Sequence, residues 1–353
     1  MSARAESVTA TERGLTRRPL VRAAVFGTGR AGTEIVRAAH ARADIELVAG
    51  ITVSPDKNGR DLGEVTTGRP LGVPVTVDFD SVLRRTDVDI ILHAGLGTPQ
   101  EVANFVGRCA DAGKDAITVS GLVHPPTALG QRGAQDLDDR ARRGGARVVG
   151  TGVNPGFVLD ALPALWGSMV TRVDRIYARR VSEIRNWGEG VLDTEVRLGW
   201  PPDEVRGNRA LSLDESLAVI IDALGLAVDR TEDIHEALPA PTPRSHGGRS
   251  VDVGRTMGFR RRSLAYRDGA AAVEVEWIAI FCIDSVADGV KEEATLRIEG
   301  DTDVEASANG TFCGDPYPST AARAINAIAP LRTLAPGLYR PDQLPAFSVG
   351  TKA

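Results

Sequence analysis

The chain has 353 residues, enough for two domains with sizeable cores, and its 42% hydrophobic and 25% charged content is that of an ordinary globular protein. The formal net charge of −5 gives no electrostatic footprint for nucleic acid, and no apolar run approaches the ~20 residues of a membrane span. Three scattered cysteines (Cys109, Cys282, Cys313) suggest no disulfide framework, and the five histidines show no metal-ligand spacing, so a reducing cytoplasm and a metal-free site are expected.

Residues 1–18 are rich in Arg, Ser, Thr and Ala without an apolar signal-peptide core, and a disordered tail is expected there. An apolar run over 21–26 then meets Gly27-Thr28-Gly29-Arg30-Ala31-Gly32, after which Ile35, Val36 and Ala39 recur at helical spacing. G-x-G-x-x-G between a strand and a helix predicts dinucleotide binding. Gly27 allows the tight turn, Gly29 leaves room for a pyrophosphate, and Gly32 lets the helix pack close. These six residues are expected to hold the phosphates at the positive end of the helix dipole.

The second strand, 45–51, ends where such domains usually place a carboxylate for the adenosine ribose. Here that site reads Thr52-Val53-Ser54-Pro55-Asp56-Lys57. Ser54 and Lys57 suit a 2′-phosphate, which favours NADP(H). Asp56 lies within reach and keeps NAD(H) possible.

A short strand is expected at 73–77, a helix at 80–85, and a buried strand at 87–93 that ends in Ala94-Gly95, small residues bordering the nicotinamide side. Thr98-Pro99-Gln100-Glu101 reads as a capping box that opens a helix running to Gly113. A fifth strand follows at 115–120, then a helix at 131–143 and a strand at 146–150. Strands alternating with helices at this spacing predict an α/β Rossmann domain, a doubly wound parallel sheet, over 19–153.

The segment 151–157, TGVNPGF, breaks the alternation. Beyond it a helix is expected at 158–169, strands at 173–184, 270–283 and 292–299, and a helix at 213–226. The alternation in these strands predicts a mixed or antiparallel sheet with one open face. Residues 239–262 read as loop-rich, with the basic run Arg260 to Arg262 on a solvated surface. Together 154–312 form a C-terminal α+β domain for substrate binding and dimerisation. The remaining segment, 313–353, carries a helix at 321–328 and a tail that folds back on the first domain.

In such a two-domain reductase the cofactor carries the hydride, and the protein must orient substrate and manage one proton. His124, Asp160, Glu183 and His93 are the candidates for that proton. Asn154 is expected beside the cofactor, and Phe157, Asn186, Trp187 and Thr320 on the substrate side.

The stretch 150–163, GTGVNPGFVLDALP, resembles the signature of the 2,4-diaminopentanoate dehydrogenase family, as do 54–63, the block 314–328, and Pro336-Gly337-Leu338 with Leu344-Pro345. That family includes NAD(P)H-dependent amine dehydrogenases and is related to dihydrodipicolinate reductase. The resemblance implies reversible oxidative deamination of a small amine, or reductive amination of a carbonyl, by a homodimer built through the second domain. One departure stands out. Family members carry a glutamate after the fifth strand as the acid/base, whereas this chain reads Ser120-Gly121-Leu122-Val123. Losing such a group costs on the order of 10²–10⁴-fold. Either His124 or Glu183 has taken over, or the substrate is a preformed, protonated cyclic imine. The His-His and Lys motif of dihydrodipicolinate reductase is absent. The expected function is therefore an NADP(H)-preferring oxidoreductase on a C–N bond. A carbonyl reductase or a non-catalytic cofactor-binding sensor are the alternatives.

Overall fold

The computed structural model describes residues 19–205 and 212–345. The tail expected over 1–18 and the end of the C-terminal segment, 346–353, lie outside these residues.

The first half builds one sheet. Its elements are β1 (Val21–Phe26), α1 (Arg30–His40), β2 (Ile45–Ile51), α2 (Leu62–Thr66), β3 (Val75–Thr76), α3 (Phe79–Leu83), β4 (Ile90–His93), α4 (Pro99–Asp111), β5 (Asp115–Thr118), α5 (Pro125–Gly144) and β6 (Arg147–Gly150). Strands such as Ile90 to His93 are buried at every position, as they must be when helices cover both faces of a parallel sheet. A last strand, β15 (Gly337–Tyr339), joins from the far end of the chain. The seven strands lie in the order β15-β6-β5-β4-β1-β2-β3, and every pairing is parallel. This is a Rossmann arrangement whose order reverses between β1 and β4, and such sheets take ligands at the carboxyl ends beside that reversal.

The second half builds a mixed sheet. Its elements are α6 (Ala161–Gly167), β7 (Val173–Glu183), α7 (Asp214–Leu224), β8 (Arg230–Pro239), the small hairpin β9 (Arg244–His246) and β10 (Arg249–Val251), β11 (Thr256–Arg267), β12 (Ala270–Ile280), β13 (Glu293–Gly300), β14 (Val304–Ala308), α8 (Thr311–Gly314) and α9 (Tyr317–Leu331). Six strands pair in the order β14-β13-β7-β12-β11-β8, antiparallel except for β7 beside β12. One face carries Ile176, Ala178, Val273 and Val275 into a core shared with Leu159, Leu217 and Ile220. The opposite face is a ladder of charge, in which Glu276 meets Arg260 at 2.9 Å and Arg179 at 3.3 Å.

Three local expectations are corrected. The helix expected at 158–169 begins only at Ala161, because Asp160 takes the cap position and bonds the Ala161 N–H. The helix expected from 131 begins at Pro125, with a break at Gly130, whose φ of +74° leaves the helical region. The basic run is not a loop surface. Arg260, Arg261 and Arg262 sit mid-sheet in β11, and Arg261 is 2% exposed. Carboxylates on neighbouring strands allow this, since Arg261 pairs with Asp233 and Arg262 with Glu236 at 3.4 Å.

Candidate functional site

The glycine loop shows a division of labour. A Cβ on Gly32 would lie 1.8 Å from the Gly27 carbonyl oxygen, so that position admits no side chain. A Cβ on Gly29 would meet nothing within 4 Å among the described residues, which leaves open space over the start of α1. Among the described residues no side chain caps α1, and its first turn holds no acidic residue, so its N-terminal N–H groups and dipole suit an anion. Lys57 Nζ donates to Thr28 Oγ1 at 3.0 Å, which brings the end of β2 over the loop. Ser54 follows Thr52, whose hydroxyl accepts the Ser54 N–H at 3.2 Å. Open space, an uncapped helix and a lysine at the ribose end fit a dinucleotide phosphate backbone. Arg30, expected at the phosphates, makes contacts beyond the loop. Its guanidinium bonds the Asn186 carbonyl and pairs with Asp315 at 2.9 Å, so it spans from the loop to the mixed-sheet domain.

The loops after β4, β5 and β6 meet at the sheet edge. Ser120 Oγ donates to the Gly95 carbonyl at 2.5 Å, and a Cβ on Gly95 would strike the Phe26 ring at 2.4 Å. Asn154 is the orphan here. Both polar atoms of its side-chain amide are buried without a hydrogen-bond partner among the described residues, as is Thr151 Oγ1. Buried polar atoms of this kind call for a partner, and an amide-bearing ligand would supply one. Phe157 stacks under the Arg323 guanidinium at 4.2 Å. Trp187 leans on Trp277 at 5.7 Å with its Nε1 buried and unpartnered among the described residues. Asn186 is exposed, and its side-chain oxygen lies 3.2 Å from His246 Nε2. Thr320 Oγ1 accepts the Val153 N–H at 3.4 Å, which ties α9 to the segment after β6.

The proton candidates read from sequence are all committed to holding the fold. His93 is buried, shares a hydrogen bond with Thr118 Oγ1 at 3.0 Å, and burial pushes its pKa down to about 4. His124 caps α5, with Nδ1 on Thr127 Oγ1 at 2.8 Å and Nε2 on Asp222 at 2.9 Å. Asp160 is 0% exposed, and its oxygens accept from Gly156 N–H, Ala161 N–H and the Ser216 hydroxyl. Burial raises its pKa although those three bonds oppose the rise. Glu183 accepts from the Arg185 guanidinium and from the N–H groups of Arg185, Cys282 and Ile283. Burial works against its charge, yet these four bonds hold its carboxyl below the ordinary range.

Sequence reasoning passed over Glu215, half-buried in the first turn of α7. Its Oε2 accepts the His124 N–H at 2.9 Å, and Oε1 stands 3.4 Å from where a Cβ on Gly121 would begin. Burial pushes its pKa up to about 7, against the backbone bonds from Leu122, Val123 and His124 and with help from Asp160. Perturbed carboxyls in clefts mark functional sites more often than surface ones do. The signal in the sequence is indirect: a carboxylate is missing at Gly121, and nothing local says that α7 returns one. Among the described residues no group of three or more His, Cys, Asp or Glu is placed to hold a metal, and no helix is long and apolar enough to cross a membrane.

Comparison with known proteins places this geometry. The family profile for the 2,4-diaminopentanoate dehydrogenase C-terminal domain matches residues 157–349, and that for the dihydrodipicolinate reductase N-terminus matches residues 21–121. An amine dehydrogenase of Streptomyces virginiae is 28% identical over 229 residues, covering 60% of this chain and 63% of its own length. A 2,4-diaminopentanoate dehydrogenase of Acetoanaerobium sticklandii is 28% identical over 152 residues, covering 40% of this chain and 42% of its own. The match thus spans less than two thirds of either relative. Among solved structures, an amine dehydrogenase from Mycobacterium smegmatis superposes with a TM-score of 0.79 at 24% identity, covering 93% of this chain and 97% of that one. A probable dehydrogenase from Thermotoga maritima superposes with a TM-score of 0.58 at 14% identity, covering 90% of each. At these identities the two structures speak for the fold.

Proposed function

Because the chain belongs to the 2,4-diaminopentanoate dehydrogenase family, whose C-terminal domain spans its residues 157–349, we propose that it is an NAD(P)H-dependent oxidoreductase acting on a C–N bond. It interconverts a small amine and its carbonyl, or reduces the imine between them. The observation that carries the reading is this family match together with relatives named amine dehydrogenase and 2,4-diaminopentanoate dehydrogenase.

When bound, a nicotinamide dinucleotide supplies the hydride; everything else is work for the chain. Gly27, Thr28, Gly29, Ala31 and Gly32 hold the pyrophosphate on backbone N–H groups at the start of α1. Lys57 and Ser54 receive a 2′-phosphate, which sets the preference for NADP(H), and Asp56 leaves NAD(H) usable. Ala94, Gly95 and the Asn154 amide border the nicotinamide end. Phe157 and Trp187 wall the substrate side, where the buried Trp187 Nε1 can donate to a polar substrate atom. The protein is read as a homodimer built through the mixed-sheet domain, as the family resemblance implies. Free cysteines at 109, 282 and 313 suit a reducing cytoplasm.

The test is NADPH oxidation with small ketones and aldehydes, with and without ammonia. Ammonia-dependent amine formation is expected. Ammonia-independent alcohol formation would make the protein a carbonyl reductase, and NADPH binding without turnover of ketones, imines or amines would make it a sensor.

A further inference from the structure

The ionisable groups that the sequence offers for proton transfer are held at caps and strand ends, and one further carboxyl, that of Glu215, is held by backbone N–H groups beside Gly121. Gly121 lies between the loops after β4 and β6. Its neighbour Ser120 bonds the Gly95 carbonyl, and a Cβ on Gly150 would sit 2.3 Å from the Gly121 oxygen and 2.4 Å from the Leu122 oxygen. This is the carboxyl edge of the parallel sheet, where such folds take their ligands. Gly121 and Leu122 both have positive φ, 87° and 59°, so the chain turns sharply there, and Gly121 leaves the space beside it empty of any side chain of its own. Into that space α7 sends Glu215, oriented by the peptide N–H groups that open α5.

We propose that Glu215 is the proton-transfer residue of this cleft, its carboxyl delivered by α7 to the end of β5 beside Gly121. The proposal rests on the C–N reading above. Ammonia adding to a carbonyl gives a neutral carbinolamine. The Glu215 carboxyl then donates its proton to the carbinolamine hydroxyl. The C–O bond breaks with its electron pair leaving on water, the nitrogen lone pair forms the C=N bond of an iminium, and Glu215 remains as carboxylate. Ammonium from solution returns the proton. In the direction of amine oxidation the same carboxylate takes a proton from the water that attacks the iminium.

The groups packed around Glu215 set its titration. Acting on it directly are Asp160 at the cap of α6 and the backbone N–H groups of Leu122, Val123 and His124, and one step further out Asp222 and Arg340 pair beside His124 while Arg323 acts on Asp160. Asp160 opposes a second negative charge. Burial does the same, so the carboxyl exchanges its proton near neutral pH.

Glu215→Gln keeps an oxygen for the N–H groups and removes the proton. Two substrates separate chemistry from structure: a small ketone with ammonia, which needs the dehydration, and 2-methyl-1-pyrroline, a preformed imine, which does not. For the ketone, kcat/KM falls on the order of 10²–10⁴-fold, and the loss on the imine is less than a tenth of that. NADPH affinity, read by fluorescence titration, stays within about threefold, the scatter expected when no contact to the ligand is lost. A variant-free measurement stands beside this: ¹³C NMR of glutamate-labelled, ligand-free protein shows one carboxyl titrating near pH 7. Equal losses on both substrates, no loss on either, or no carboxyl titrating above about pH 6 overturns the assignment. A wild-type protein that turns over neither substrate while binding NADPH overturns the C–N reading itself, and the proposal with it.

Discussion

Glu215 has a consequence for stability that needs no substrate. Its carboxyl titrates at about 7 in the fold against an ordinary value of 4.5, chiefly because it is buried, with Asp160 adding to the effect. Below pH 4.5 both folded and unfolded chains hold the proton. Between 4.5 and 7 the folded chain keeps it while the unfolded chain has lost it, so unfolding releases a proton and stability falls as pH rises. At about 1.4 kcal/mol for each unit of displacement, this one group removes about 3 kcal/mol across that window and nothing further above it. Glu215→Gln abolishes the titration and leaves every other ionisable group in place. The unfolding free energy of the variant relative to wild type therefore rises by about 3 kcal/mol from pH 5 to pH 8. Urea unfolding at half-unit steps of pH measures it, with the wild-type curve subtracted at each step. Parallel curves for the two proteins would refute the reasoning, because they would mean that Glu215 titrates alike folded and unfolded.

Two further outcomes test the cofactor end of the cleft. Lys57→Ala removes the cation held over Thr28 and weakens NADPH binding by about 10–100-fold, the scale of one charge-assisted hydrogen bond, while NADH affinity stays nearly constant. An unchanged NADPH-to-NADH ratio would remove Lys57 from the site. The glycines separate fold from binding. Gly32→Ala forces a methyl to 1.8 Å from a backbone oxygen and lowers Tm steeply, whereas Gly29→Ala enters open space, keeps Tm and loses cofactor affinity. A Gly29→Ala variant that binds NADPH like wild type would mean that the phosphates lie elsewhere.

The first sheet was largely legible in the sequence because its signals are local. The strand, the glycine loop and the start of α1 are contiguous. The box read from Thr98 to Glu101 is present, with the Thr98 N–H donating to Glu101 Oε2 at 2.7 Å. The mixed sheet was legible only where alternation is apolar, as in β12. Three consecutive arginines look like surface until Asp233, Glu236 and Glu276 are seen beside them, and those partners lie on other strands. The partners of the proton candidates were hidden for the same reason. Chain position puts His124 and Glu183 near a sheet edge, but the His124 ring is bonded to Asp222 and the Glu183 carboxylate to the N–H groups of Cys282 and Ile283, about a hundred residues away. Glu215 was hidden because its meaning lies in its nearness to Gly121, and a first-turn glutamate is otherwise what any helix favours.

The placement of α9 and β15 governs how the chain must be made. The face of the first sheet that carries Ile35, Val36 and Ala39 of α1 is covered by Ala321, Ala324, Ile325 and Ile328 of α9, and its outer edge at β6 is closed by β15. Both arrive after the whole of the mixed-sheet domain. At about 5–20 residues per second, the roughly 170 residues between β6 and α9 take about 10–30 seconds to synthesise. Through that interval the nascent first sheet carries an apolar flank and an unpaired strand edge, the two features most prone to misassembly. The sheet begun first on the ribosome is the last to be closed.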